Sequence, residues 1–197
     1  MKRIHNNKKG LRVLAIAESF EKHDKNSILA GVVMRRDFVV DGFAYADTTI
    51  GGNDSSDKII SLIKSLRRND INCVLLGGLI ISLFNIINGK QILEKTGLPV
   101  IAISYKKSFG LTHSIHGTDE KQKILDYLNL EDRKLLKLWT GKTVFVRQWG
   151  VSFADASVLL NSLVIQGAKP EPLRLATLAA RACRIYGKRL SNMKCEI

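Results

Sequence analysis

No segment of this chain approaches the ~20 consecutive apolar residues that a membrane-spanning helix needs. The opening Met1-Lys-Arg-Ile-His-Asn-Asn-Lys-Lys9 also lacks the apolar stretch of a signal peptide. A cytoplasmic protein is expected. Cysteine is scarce: Cys73, Cys183 and Cys195 are odd in number, widely spaced and without a Cys-x-x-Cys pair. That speaks against a disulfide framework or a zinc site, and buried thiols are expected instead. There is no P-loop, and no G-x-G-x-x-G follows the first apolar run, so nucleotide hydrolysis and dinucleotide binding are disfavoured. Ser19 and Ser104 lack a Gly-x-Ser-x-Gly setting, which leaves a serine hydrolase unsupported. Linkers rich in proline, glycine or serine and internal repeats are absent too, so residues 1–197 are expected to form a single domain.

Acid is the other shortage. Asp and Glu number 18 against 31 Lys and Arg, a net charge of +13. The excess is spread along the chain, and such a field attracts polyanions, because phosphate neutralisation supplies most non-specific nucleic-acid affinity. Acid is absent altogether from Leu173 to Lys194. There Arg174, Arg181, Arg184 and Lys188 fall within a helical stripe of ~80°, at ~100° per residue. Lys8 and Lys9 belong to a basic arm, and Lys106 and Lys107 follow an apolar run ending at Ile103. These eight residues are the candidate nucleic-acid contacts, with Tyr105, Phe109 and Phe84 as candidate base-stacking residues. A solvated charged face is the alternative reading of the stripe.

The apolar pattern predicts strands at Leu11–Ala17, Ser27–Met34 and Phe38–Ala46, the last two a hairpin around a polar turn. A helix over Ser56–Leu66 follows, then a strand at Asn72–Leu76, a helix over Ser82–Lys95 closed by Gly97, and a strand at Pro99–Ile103. Strand, helix, strand at that spacing implies parallel pairing with a right-handed crossover. From about residue 118 a mostly helical part is expected: helices over Asp119–Leu130, Ser152–Gln166 and Pro172–Tyr186, with one strand at Thr143–Arg147. The order is that of an α/β, ribonuclease-H-like mixed sheet flanked by helices.

At Lys8-Lys-Gly-Leu-Arg-Val-Leu-Ala-Ile16, Asp41-Gly42, Thr96-Gly-Leu-Pro-Val-Ile101 and Pro170-Glu-Pro-Leu-Arg174 the chain resembles the archaeal endonuclease dU family. That family was long catalogued as a domain of unknown function and is similar in fold to endonuclease V. The resemblance covers most of the chain. It implies an archaeal source, a ribonuclease-H-like core, and metal-dependent cleavage of nucleic acid carrying a deaminated base, as in DNA repair. The departures fall at the acids. Where the family pattern has Gly-Ile-Asp-Asp, this chain has Ala15-Ile-Ala-Glu18; where it has Asp-Gly-Ile, this chain has Gly77-Gly-Leu79; and its Asp-Gly-x-Asp-Ala-Thr matches Gly51-Gly-Asn-Asp-Ser-Ser56.

Metal-assisted phosphodiester hydrolysis needs carboxylates that hold Mg²⁺ in near-octahedral oxygen geometry. Ala17 and Gly77, expected side by side at the carboxyl ends of parallel strands, supply none. Glu18, next along the strand, points to the opposite face. Glu18 and Asp54 are the catalytic candidates if the protein cuts, with Asp47 and Asp57 as further acids; otherwise they are loop acids or, for Asp54, a helix N-cap. His23 and the pair His113 and His116 read as surface histidines, since His-x-x-His without a nearby acid or cysteine is a weak metal signal. Gly77-Gly78 admits close approach of a phosphate, a weak signal by itself. The expected function is therefore nucleic-acid binding by a degraded, metal-free site. The alternatives are an active Mg²⁺-dependent endonuclease on deoxyuridine- or inosine-containing strands, and a non-catalytic assembly partner. DNA versus RNA and the oligomeric state, a homo-oligomer included, are left open.

Overall fold

The structure is a computed structural model and describes residues 10–106 and 120–194. The first apolar run forms β1 (Arg12–Ser19), and the next two form β2 (Asn26–Arg35) and β3 (Val40–Thr49). β2 pairs antiparallel with both. After α1 (Ser55–Ser65) the chain returns in β4 (Ile71–Leu76), parallel to β1.

The next segment corrects the helix expected over Ser82–Lys95. It holds a small hairpin of β5 (Ile80–Ile81) and β6 (Asn85–Ile86), and only then the shorter α2 (Gly89–Thr96). Its apolar spacing suits a helix, but Ser82, Leu83 and Phe84 have φ of 43°, 55° and 70°. Those left-handed values are foreign to a right-handed helix. α2 starts after Asn88, whose side chain accepts the Gln91 amide N–H at 3.0 Å. It stops at Gly97, φ 69°, as expected of a glycine that closes a helix.

The remainder is β7 (Val100–Ser104), α3 (Glu120–Leu128), β8 (Lys134–Lys137), β9 (Thr143–Trp149), α4 (Phe153–Leu163) and α5 (Glu171–Lys194). The seven-stranded sheet runs β3-β2-β1-β4-β7-β9-β8, with β1–β4 and β4–β7 parallel and the other neighbours antiparallel. This is a mixed α/β sheet of ribonuclease-H-like layout. β8 has no period to betray it, since Leu136 is buried while Leu135 is 60% exposed. Together β8 and β9 extend the sheet beyond β7, so the part after residue 118 contributes strands as well as helices.

Alternation along the strands divides the core in two. Val13, Ala15, Val32, Cys73, Leu75 and Ile101 pack beneath α4 and α5, meeting Leu159, Leu160, Leu173 and Ala176. Leu14, Ile16, Leu29, Val74 and Leu76 face the other way, against Ile59, Leu62 and Ile63 of α1 and Ile92 of α2. Cys73 is fully buried and its thiol is pushed up by burial, as expected of an inert thiol; Cys183 is half-buried.

At the opposite end of β1, Asp41 accepts from Arg12 Nε at 2.5 Å and Arg35 Nε at 2.9 Å, with Arg68 Nη2 at 3.6 Å. The hydrogen bond from Arg35, then that from Arg12, holds its carboxyl at about 2 against an ordinary 3.8. A carboxyl depressed in the folded state contributes stability above its unfolded pKa and loses it as pH falls through the folded value. The urea midpoint should therefore fall as pH drops from 3.8 towards about 2. Asp41→Asn should flatten that stretch; curves that stay parallel would contradict it.

Candidate functional site

The register Ile16↔Leu76 brings the ends of β1 and β4 together, and Gly77 N–H donates to the Ile16 carbonyl at 3.2 Å. Ala17 and Gly77 are thus neighbours at the carboxyl ends of parallel strands, where open α/β sheets seat their ligands. A Cβ on Gly77 would lie 3.6 Å from Leu173 Cδ2 and 3.7 Å from the Ile16 carbonyl oxygen, ordinary contact distances. The corner has room for a side chain there and holds none. A cavity of about 140 Å³ opens at this point, lined among others by Ala17, Glu18, Gly77, Tyr105, Lys169 and Thr177.

Glu18 follows the strand alternation. Ala17 packs with the core beneath α4 and α5, whereas Ile16, two residues before Glu18, faces α1 and α2. Its carboxylate accepts from Ser27 Oγ and Ser82 N–H, both at 2.9 Å, and from Ser82 Oγ. Glu18 therefore anchors the left-handed turn of the β5–β6 hairpin. An ionised carboxylate has about four lone-pair sites, and three donors already use most of them.

Asp54 is occupied more fully still. Oδ1 accepts from Thr48 Oγ1 at 2.7 Å, Asn85 Nδ2 at 2.8 Å and Thr49 N–H at 3.1 Å, and Oδ2 accepts from Thr49 Oγ1 at 3.0 Å. Although it stands at the N-cap position of α1, its side chain makes no capping bond, which corrects the cap expected from sequence. Partial burial alone would raise this carboxyl; the bonds from Thr48, Asn85 and Thr49 outweigh it, and the pKa is lowered. Asp54 and Glu18 thus clamp the same hairpin, one at Asn85 and the other at Ser82.

Of the remaining acids, Asp47 accepts from Asn26 Nδ2 at 3.2 Å and Asp57 from Gln91 Nε2 at 3.0 Å. No group of three or more His, Cys, Asp or Glu able to hold a metal ion occurs among the described residues. The donors at this corner do not fit the Mg²⁺ that the family resemblance implies. His23 is exposed; His113 and His116 lie outside the described residues.

The basic stripe of α5 is less free than its sequence suggests. Arg184 donates to Ser19 Oγ at 3.0 Å and pairs with Glu21. Lys188 pairs with Glu21 at 2.6 Å and Asp24 at 2.7 Å. Hydrogen bonds from Lys188 and then Arg184 lower Glu21, and those to Asp24 and Glu21 raise Lys188. Arg174 is tied to Glu171 at 2.5 Å. Arg181 alone of the four is exposed with no ion pair to a described residue. Lys106 is exposed at the end of β7, and Tyr105 beside it lines the corner cavity. Phe84 is half-buried in the hairpin turn. Lys8, Lys9, Lys107 and Phe109 lie outside the described residues.

One residue of the corner escapes any reading of spacing. Lys169 Nζ donates to Thr177 Oγ1 at 2.7 Å. Its pKa is lowered, by burial first and then by the charge of Arg174. Lys169 opens the Lys-Pro-Glu-Pro-Leu-Arg stretch, yet only the packing of α5 onto β1 and β2 carries it to Ala17 and Gly77.

Relatives bear on these features. A UPF0215 protein of Pyrobaculum calidifontis is 31% identical over 187 residues, which span 91% of this chain and 100% of that protein. The crystal structure of a protein of unknown function from Archaeoglobus fulgidus superposes with a TM-score of 0.76 at 23% identity, covering 88% of this chain and 98% of that one. Endonuclease V from Bacillus subtilis superposes with a TM-score of 0.65 at 13% identity, covering 95% and 86%. Endonuclease V from Ciona intestinalis, in complex with DNA containing an inosine, gives 0.60 at 13%, covering 93% and 87%. At such identities these structures bear on fold. The family model described as endonuclease dU matches residues 9–184. With the sheet order and the quoted motifs in agreement, this chain belongs to the endonuclease dU family.

Proposed function

We propose that this protein binds nucleic acid at the strand-end corner of its ribonuclease-H-like sheet and cuts it little or not at all. The observation that carries the reading is that Ala17 and Gly77 line one cavity at the adjoining ends of β1 and β4, where the chemistry calls for metal-binding carboxylates. The two candidate catalytic acids, Glu18 and Asp54, spend their oxygens on the β5–β6 hairpin and its neighbours. The net charge of +13 supports a polyanionic partner, as does the DNA in the Ciona endonuclease V complex. Arg181 and Lys106 are the exposed cations best suited to phosphate contact, and Arg184 and Lys188 join them only where a strand displaces Glu21 and Asp24.

The test is a parallel reading of bound and cut fractions for labelled single- and double-stranded oligonucleotides. Each is prepared with and without one deoxyuridine or deoxyinosine, across Mg²⁺ and Mn²⁺. Binding that weakens with salt is expected, without cleavage. Arg181→Ala should weaken it on all sequences alike and reduce the salt slope by about one. Metal-dependent cutting that disappears in Glu18→Gln would overturn the reading and make Glu18 a ligand. Neither binding nor cutting would favour a protein-assembly role.

A further inference from the structure

The geometry points to Lys169 as a built-in cation that holds a phosphate of the nucleic-acid strand at the Ala17–Gly77 corner, where the fold otherwise calls for a metal ion. This rests on the nucleic-acid reading above and names the group that grips the strand.

Lys169 and Thr177 line the same cavity as Ala17 and Gly77, and the ammonium is tethered at 2.7 Å to Thr177 Oγ1. The Thr177 hydroxyl donates onward to the Leu173 carbonyl at 2.8 Å, so its oxygen is free to act as acceptor towards the lysine. An ammonium has three donors; Thr177 takes one, and two remain for a ligand. Lys169 makes no ion pair with a described residue. Glu18 shares the cavity but is engaged by Ser27 and Ser82. A half-buried cation with no ion pair to a described residue and two donors remaining, in a cavity that opens at a strand-end corner, is fitted to take an anion.

Access is provided on the outer side. Lys169 also borders an open depression of about 430 Å³ that includes Gly167, Glu171 and Arg174. An approaching backbone phosphate therefore meets Lys169 between open solvent and the corner. Gly77 and Gly78 add no side chain to the cavity lining.

The charge balance accounts for the lost acids. A corner lined by carboxylates repels a phosphodiester, and a divalent ion must offset both. With Ala17 and Gly77 in their place, Glu18 is the one acid among the described lining residues, its oxygens taken by Ser27 and Ser82, and the Lys169 ammonium is the cation left to meet the single charge of the diester. An ammonium cannot supply a metal-activated water, so the same substitution holds the strand without splitting it.

Fluorescence anisotropy of a labelled single-stranded oligonucleotide, in EDTA and in Mg²⁺, tests this with the full chain. The parent should bind equally well in both. Lys169→Gln should bind about tenfold more weakly with a salt slope lower by about one, and Lys169→Arg should keep most of the affinity. Ala17→Asp, which places a carboxylate beside the ammonium, should weaken binding in EDTA. Matched thermal midpoints of the Gln and Arg variants separate lost contact from lost fold. A parent that binds while Lys169→Gln keeps both its affinity and its slope would overturn the corner assignment and leave the nucleic-acid reading standing, as would a parent that needs Mg²⁺ to bind. A parent without affinity for any strand would refute the nucleic-acid reading itself.

Discussion

Gly89→Ala is expected to destabilise the fold by about 3 kcal/mol, at the upper end of overpacking effects. A Cβ on Gly89 would stand 2.3 Å from Trp149 Cε3 and 2.4 Å from Cζ3, far inside any van der Waals contact. The ring has little freedom to retreat. Trp149 is 7% exposed, its strand partner is Val100 of β7, and its indole N–H donates to Glu131 Oε1 at 3.1 Å. Moving the ring breaks that bond, and moving the backbone displaces the first turn of α2 from the sheet. For a chain of this size the loss corresponds to roughly 6–12 °C in Tm. Thermal and urea unfolding measure it, and a shift below ~0.5 kcal/mol, the size of an ordinary surface change, would mean that the ring and helix part more easily than their contacts imply.

Asp54→Ala should cost a similar amount, about 3 kcal/mol, because it removes the acceptor on which a buried polar knot converges. Thr48 and Asn85 are both fully buried, and each donates to Asp54 Oδ1. Asn85 retains Thr48 Oγ1 at 3.1 Å and the Thr49 carbonyl at 3.0 Å. The Thr48 hydroxyl and the Thr49 amide lose their acceptor outright. Asp54→Asn, which keeps one carbonyl oxygen, should lose about half as much. Unfolding measured with and without millimolar Mg²⁺ separates a structural acid from a metal ligand, since a ligand that binds only the folded state raises its midpoint. The parent midpoint should not respond to Mg²⁺. A rise in the parent that vanishes in Asp54→Ala would assign Asp54 to a metal site.

Both sites show where local pattern stops being informative. The strands β1, β2, β4 and β7 were legible because each is buried on both faces, which leaves a continuous apolar run of strand length. The segment 82–88 departs from the helix expected over Ser82–Lys95 for the converse reason. Its apolar residues fit a helical period, but Glu18 and Asp54, both distant in sequence, bond Ser82 and Asn85 and hold the chain in a left-handed turn. β8 was invisible because an edge strand with a single buried side chain carries no alternation. At the site, the missing acids at Ala17 and Gly77 could be read from the ends of two apolar runs. The condition of the basic stripe could not, since the acids that neutralise Arg184 and Lys188 arrive from the turn between β1 and β2.

From residue types and spacing alone follow the polyanion-attracting charge, the strands β1 to β4, β7 and β9, and the lack of carboxylates at positions 17 and 77. Each depends on chain chemistry or on a period of a few residues, and neither needs a partner from elsewhere. Tertiary packing alone decides that Glu18 and Asp54 serve a hairpin, that Arg184 and Lys188 are paired with Glu21 and Asp24, and that Lys169 lines the corner cavity. Those outcomes depend on which distant groups meet. In a folded interior, a charged group acts according to the neighbours that compete for its hydrogen bonds rather than its position along the chain.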